Sequence, residues 1–185
     1  MRASAPVHGL AHPLTTLSPE HLAIWNALAT LTDPEIPVVT LSELGILRDV
    51  RTGEDGVTEV VITPTYSGCP AMGQMEDDVR AVLKQTGVPA RVITQLAPAW
   101  TTDWITPPAR EKLRRYGIAP PTGRAHAAAP GVVQFSRRAR TLDVVACPQC
   151  ASTDTTEVSA FGSTACKAQY RCLACMEPFD YFKPY

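Results

Sequence analysis

Six cysteines dominate the reactive side chains of this 185-residue sequence, and four of them form two Cys-x-x-Cys pairs. Cys147-Pro148-Gln149-Cys150 and Cys172-Leu173-Ala174-Cys175 are separated by 21 residues, just beyond the about 15–20 typical of paired zinc knuckles. Each pair closes a tight turn that aims two sulfurs at one point. Two such turns complete a tetrahedron with metal–sulfur distances of about 2.3 Å. With every position filled by protein, the pattern predicts a structural zinc ion rather than a catalytic one with an open water position. Spacing does not separate zinc from iron in a rubredoxin-like four-thiolate site, which would make the chain an electron carrier. A fifth cysteine, Cys166 in Gly162-Ser163-Thr164-Ala165-Cys166-Lys167, reads either as a substitute ligand or as a free thiol, inert if buried.

The sixth, Cys69, stands in Thr63-Pro64-Thr65-Tyr66-Ser67-Gly68-Cys69-Pro70-Ala71-Met72. If Pro70 is the first helical residue, Cys69 is the N-cap, where unpaired N–H groups and the helix dipole favour a thiolate. That would make it a soft metal ligand or a nucleophile; a structural cysteine is the plain alternative. Glu76, Asp77 and Asp78 would oppose the thiolate if they lay close, and read more simply as a solvated helix face. The histidines are His8, His12, His21 and His126, two near the start and one in a linker, so a serine–histidine–acid triad is hard to assemble. No Glu-x-x-His pair exists for a carboxylate di-iron centre. Glycine-rich dinucleotide and phosphate-loop motifs are also missing.

The elements that must carry these groups follow from periodicity and punctuation. Ser18-Pro19 is a good helix start, and Leu22, Ile24, Trp25, Leu28 and Leu31 give the first helix an apolar face that should end before Asp33-Pro34. Leu44–Val50 and Val57–Thr63 read as a hairpin turning at Gly53–Gly56. A second helix opens at Pro70, runs through Met72, Met75, Val79, Val82 and Leu83, and stops at Gly87. Arg91–Leu96 is a third strand. Thr106-Pro107 then caps a short basic helix ending at Tyr116-Gly117, with Pro120-Pro121 barring its continuation. From Val132 onward, short strand-like runs alternate with Gly, Ser and Cys.

The expected fold class is therefore α+β: a small helix–strand–strand–helix–strand domain followed by a C-terminal β-rich zinc ribbon. Its expected boundaries are a disordered tail at 1–17, the first domain with the basic helix at 18–121, a linker at 122–131 and the ribbon at 132–185. A ribbon this short cannot persist on its apolar core alone, so metal binding would contribute much of its folding free energy. Net charge is −1, distributed as −6 over residues 1–105, +7 over 106–140 and −2 over 141–185. The basic stretch reads as a solvated helix face and charged linker, and neither its aromatic content nor the overall charge suits nucleic acid. No run of apolar residues is long enough for a signal peptide or a membrane span. The expected location is the cytoplasm, where unpaired cysteines persist as thiols.

Asp33-Pro34-Glu35-Ile36-Pro37, Leu41 with Leu44-Gly45-Ile46, and Ser67-Gly68-Cys69-Pro70-Ala71 resemble the metal–sulfur cluster assembly domain of iron–sulfur maturation factors. Ala97-Pro98-Ala99-Trp100-Thr101-Thr102-Asp103-Trp104-Ile105, Gly117–Pro121, Phe161–Ala168 and Cys175-Met176-Glu177-Pro178-Phe179 extend the likeness. From about Ser18 onward the chain resembles the PaaD family, accessory subunits of bacterial phenylacetyl-CoA epoxidase (ring 1,2-phenylacetyl-CoA oxygenase). The resemblance implies a non-catalytic role in phenylacetate catabolism, assisting assembly or repair of an iron–sulfur or iron cluster. The recipient it suggests is the reductase that serves the di-iron oxygenase subunit. It places Cys69 as the cluster or iron contact, with Asp33 and Glu35 in an acidic motif beside it. It also implies structural zinc at Cys147, Cys150, Cys172 and Cys175, transient iron or iron–sulfur cargo, and a homodimer of the kind common among assembly domains.

Two further functions compete. A structural interaction subunit would stabilise the oxygenase–reductase assembly without handling metal. An enzyme using Cys69 against a thioester such as an acyl-CoA ranks last, because no histidine is obviously available as its base.

Overall fold

Ser18 accepts a hydrogen bond from the His21 N–H at 3.1 Å, and Pro19 presets the first turn, so α1 (Pro19–Leu28) starts where the punctuation places it. The computed structural model describes residues 17–122 and 144–185. The expected tail, most of the linker and the start of the ribbon region lie outside the described residues. Helix α1 ends at Leu28, well before Asp33-Pro34. Leu31 nevertheless packs against the core from the turn that follows.

Two strands, β1 (Leu47–Thr52) and β2 (Thr58–Ile62), form the antiparallel hairpin, with a register shift between Leu47 and Asp49. The β1 strand begins later than its apolar run suggests. Gly45 breaks the run at φ +73°, where a side chain's Cβ would come within 2.6 Å of the Trp104 Cβ. Helix α2 (Met72–Thr86) crosses to β3 (Ala90–Thr94), which pairs parallel with β2 and completes a sheet ordered β1-β2-β3. Ile24, Trp25 and Leu28 of α1 and Met75, Val79 and Leu83 of α2 join Leu47, Val50, Val60 and Ile62 in one buried core. Burying one such side chain is worth about 1.5–3 kcal/mol, so this layer accounts for the domain's cohesion.

Thr106 caps α3 (Pro107–Arg115) by accepting from the Ala109 N–H. The basic face of α3 is largely occupied within the chain: Lys112 pairs with Glu43 at 2.7 Å, and Arg114 and Arg115 pair with Glu111. Behind it, β4 (Ile118–Ala119) leaves the first sheet altogether. It pairs parallel with β7 (Pro178–Phe182), the last strand of a second sheet whose other members are β5 (Thr155–Ser159) and β6 (Lys167–Cys172). The order of that sheet is β4-β7-β6-β5. Its own core is small and aromatic, with Tyr170 edge-on to Tyr181 at 5.3 Å.

The two units share a seam. Phe182 and Cys166 belong to the core of the first unit, and Trp100 meets Phe182 at 5.9 Å and Tyr185 at 6.2 Å. The Tyr185 main-chain oxygen accepts from the Thr102 N–H at 3.2 Å and from the Thr101 and Thr102 hydroxyls. Arg110 clasps the same seam, donating to the carbonyls of Pro121 at 2.8 Å and Thr102 at 2.7 Å.

Candidate functional site

Cys147, Cys150, Cys172 and Cys175 bring their sulfurs within 4.8 Å of one another. Their local turns explain how. Ala151 and Met176, the residues just after each pair, take left-handed backbone at φ 61° and 67°, a conformation that lets the chain curl back beneath its own thiols. Ala151 N–H donates to the Cys147 carbonyl at 2.9 Å, and Cys147 N–H to the Ser152 carbonyl at 2.9 Å. In the second knuckle the Cys172 N–H donates to the Glu177 carbonyl at 3.0 Å and the Cys175 N–H reaches the Cys172 sulfur at 3.4 Å. That N–H holds the Cys172 thiol down, to about 7. Cys147 and Cys175 sulfurs stand 3.8 Å apart, and those of Cys150 and Cys172 3.6 Å. A tetrahedral ion with bonds of about 2.3 Å needs edges of about 3.8 Å, so the quartet is already shaped to hold a metal. Cys166 is not one of the four; it sits in the other core.

The second cluster is built around Cys69. Here one expectation fails: Cys69 is not the N-cap. Helix α2 starts at Met72 behind Ala71, which makes no side-chain cap. The Pro70-Ala71 pair forms a turn instead, with the Met72 N–H donating to the Cys69 carbonyl at 3.3 Å. The thiol is therefore not held down by a helix terminus. Burial pushes it up, and Glu35, Cys166 and Asp33 add to that push, while the Ala71 N–H opposes them.

Asp33 reaches this neighbourhood from the loop after α1. Its Oδ1 accepts from the N–H groups of Glu35 and Ile36, both at 2.8 Å, which folds the Asp-Pro-Glu-Ile segment into a tight turn. The bridge between Thr32 and Thr40 closes the loop's base. Burial raises the Asp33 carboxyl despite the two N–H donors; burial and Asp33 together raise Glu35. Asp33 and Glu35, on one loop, thus lie near enough to Cys69, on another, for their charge to disfavour its ionisation.

What sequence reasoning missed is the contribution of the ribbon unit to the same place. Cys166 is buried, its sulfur 2.9 Å from the Thr164 hydroxyl. Burial raises its thiol, and Glu35 and Asp33 raise it further against Lys167. Lys167, 4% exposed, faces both carboxylates and is anchored to Asp180 at 3.2 Å. Tyr66 and Tyr185 close the group; burial lifts the Tyr185 phenol to about 12, helped by Cys166 and Tyr66. The one available signal was Cys166-Lys167 at the start of a strand. On the helix face, by contrast, Glu76 accepts from Arg80 and Thr94, Asp77 from Arg80 and Asp78 from Gln74.

Comparison with known proteins fits this two-part layout. An iron–sulfur cluster assembly protein model matches residues 22–93, and a PaaD zinc beta ribbon domain model matches residues 133–183. The chain is 49% identical over 174 residues, covering 92% of it and 97% of its relative, to an Escherichia coli (strain K12) protein named as one of the subunits of 1,2-phenylacetyl-CoA epoxidase. It is 33% identical over 93 residues, 50% of its own length and 84% of the relative's, to the Fe-S protein maturation auxiliary factor YitW of Bacillus subtilis (strain 168). A crystal structure of a DUF59 domain from Bacillus anthracis overlaps 51% of this chain and 91% of its own, with 27% identity and a TM-score of 0.46. Among the described residues no helix is long and apolar enough to cross a membrane.

Proposed function

The chain belongs to the PaaD family of 1,2-phenylacetyl-CoA epoxidase subunits, and from that premise we propose that it is a non-catalytic maturation factor, working in the cytoplasm, that handles iron or an iron–sulfur cluster for the epoxidase system. The observation that carries this reading is the match of residues 22–93 to an iron–sulfur cluster assembly protein model; the negative charge that Glu35 and Asp33 place near Cys69 supports it. A thiol kept protonated by burial and by two carboxylates is poorly disposed to act as a nucleophile. It is well disposed to exchange its proton for a metal cation, whose charge reverses the local penalty. Few protein ligands also mean easy release to a better-chelated recipient. On this reading Asp33 and Glu35 set the negative field that draws the cation in. Cys147, Cys150, Cys172 and Cys175 hold zinc as a permanent structural ion.

Residues 18–121 then form the working domain and 132–185 the ribbon, joined by the linker at 122–131. The recipient is the cluster-bearing reductase that feeds the di-iron subunit, and the chain works either alone or as a homodimer. The test is to replace Cys69→Ser and measure cluster occupancy of the co-expressed reductase. Occupancy should fall; unchanged occupancy would rule the reading out. Leu173 and Met176 stand exposed at the metal knuckle, 47% and 53% accessible, which also suits a purely structural docking subunit. In that case Cys147→Ser would abolish association with the epoxidase subunits and Cys69→Ser would change nothing.

A further inference from the structure

Strand β3 ends the first sheet on one side, and its outer edge is open. The order is β1-β2-β3, and among the described residues no strand lies beyond β3. The ends of the β2–β3 ladder fix which groups point outward. Thr58 N–H donates to the Pro89 carbonyl at 3.3 Å, and Gln95 N–H to the Ile62 carbonyl at 2.8 Å. Successive residues turn their N–H and C=O groups to opposite sides of a strand, so Pro89, Arg91, Ile93 and Gln95 serve β2 in the parallel register from Thr58↔Ala90 to Ile62↔Thr94. The main-chain groups of Ala90, Val92 and Thr94 are left to the free edge.

Such an edge is a template for another strand, and proteins blunt it with charge or proline. Here the blunting is weak. Pro89 precedes the strand, and the Arg91 guanidinium is drawn inward across the sheet, to Glu59 at 2.6 Å and to Asp55. Beside the edge runs a groove of about 580 Å³ between α2 and β3. Leu83, Val88 and Val92 give it apolar walls. Arg80, Lys84 and Arg91 stand along it, and no carboxylate is among its described lining residues.

We infer that β3 is a docking edge for an extended acidic segment of a partner protein, which adds to the sheet as a fourth strand and lays apolar side chains in the α2–β3 groove. This goes beyond the maturation reading and does not depend on Cys69.

Unpaired main-chain groups call for an extended backbone, and the groove calls for apolar side chains on one face of it. Charge decides the rest. Glu76 and Asp77 engage Arg80, and Glu59 and Asp55 engage Arg91, yet each guanidinium has five N–H donors and keeps some of them unspent. Lys84 is exposed in the last turn of α2, and none of the ion pairs among the described residues involves it. A carboxylate on the incoming strand meets these donors, whereas a lysine there is repelled. The same charge disfavours a second copy of this chain as the occupant. Pairing β3 with β3 about a two-fold axis would set Arg80, Lys84 and Arg91 against their own counterparts.

The test uses the full zinc-loaded chain, with hydrogen exchange read amide by amide by NMR, and two short synthetic peptides that alternate valine with glutamate or with lysine. In the free chain the N–H groups of Arg91, Ile93 and Gln95 should be protected, and those of Val92 and Thr94 should exchange freely. The glutamate peptide should slow exchange at Val92 and Thr94, and the lysine peptide should leave them unchanged. Lys84→Glu alters an exposed side chain and leaves the β2–β3 ladder intact. It should weaken binding of the glutamate peptide about 5-fold, the upper end for one exposed ion pair. Protection of Val92 and Thr94 in the free chain overturns the inference: if it survives dilution the chain covers its own edge, and if it fades a second copy does. No protection by millimolar glutamate peptide, equal binding of the two peptides, or unchanged affinity in Lys84→Glu overturns it as well. None of these results touches cluster occupancy in the Cys69→Ser experiment, so the maturation reading stands or falls separately.

Discussion

The Tyr185 hydroxyl donates a hydrogen bond to the Ala165 carbonyl at 3.2 Å, tying the end of the ribbon unit to the residue that precedes Cys166. The same tyrosine stacks edge-on against Trp100 of the first unit. One side chain therefore contributes both to the seam between the units and to the placement of the segment that carries Cys166.

Tyr185→Phe keeps the ring contact and deletes the tie. It should cost about 0.5–1.5 kcal/mol, the net worth of one hydrogen bond. Tyr185→Ala should cost more, because the ring's packing on Trp100 goes as well. Urea unfolding followed by tryptophan fluorescence measures both. A Phe variant as stable as the parent would show that the bond contributes nothing.

Gly45 has the closest approach of any described glycine. At φ +73° any Cβ is strained, and here it would also lie 2.6 Å from the Trp104 Cβ and 3.1 Å from the Trp104 carbonyl oxygen. Gly45→Ala should lose about 1–2 kcal/mol to conformation and about 1–3 kcal/mol more to overpacking. Gly56, at φ +80° with nothing within 4 Å, is the control: Gly56→Ala should lose the conformational part alone. Equal losses at the two positions would refute the steric contribution of Trp104.

The Cys69 thiol is lifted above the ordinary cysteine range by burial first, then by Glu35, Cys166 and Asp33. Removing the nearby charge in Glu35→Gln should bring it down. The thiolate is the reactive form, so at neutral pH the wild-type rate of alkylation should be slow and still climbing with pH. The variant's rate–pH curve should lie at lower pH and react faster at pH 7. Mass spectrometry at Cys69 separates this from the ribbon thiols. A curve that does not move would place Glu35 outside the site.

Chelation should act on the ribbon unit first. Its own core is one small aromatic group, and the four cysteines carry its only metal-binding set among the described residues. Loss of the ion should abolish the folded signature of Tyr170 and Tyr181 in near-ultraviolet circular dichroism. Trp100 fluorescence should shift with it, because Phe182 and Tyr185 pack on that ring. One equivalent of zinc should restore both signals. Full retention of structure in metal-free protein would show that the quartet is not what stabilises this unit.

Much of the fold is legible in the chain because its causes are local. Ser18-Pro19 and Thr106-Pro107 start α1 and α3 through caps made within three residues. Gly87, at φ 69°, ends α2 for the same kind of reason. The metal quartet is nearly as local: each Cys-x-x-Cys pair forms its own turn, and only the meeting of the two turns is tertiary. Where local cause is weak, the reading slips. Pro70 could open a helix, but the chain spends Pro70-Ala71 on a turn, and that moves Cys69 off the helix end and takes the dipole's help from its thiol.

Residue types and spacing alone thus determined that the chain can hold one metal in a sulfur tetrahedron and that it carries a separate thiol; the acidic motif beside that thiol came only from the family resemblance. Only the tertiary structure decided what faces that thiol. Cys166 and Lys167 belong to a strand of the other sheet and its approach, and they reach Cys69, Asp33 and Glu35 because β4 crosses to pair with β7 and Trp100 locks onto Phe182. No periodicity or motif encodes such an approach. It depends on which apolar surfaces are buried together, and burial is a property of the whole chain.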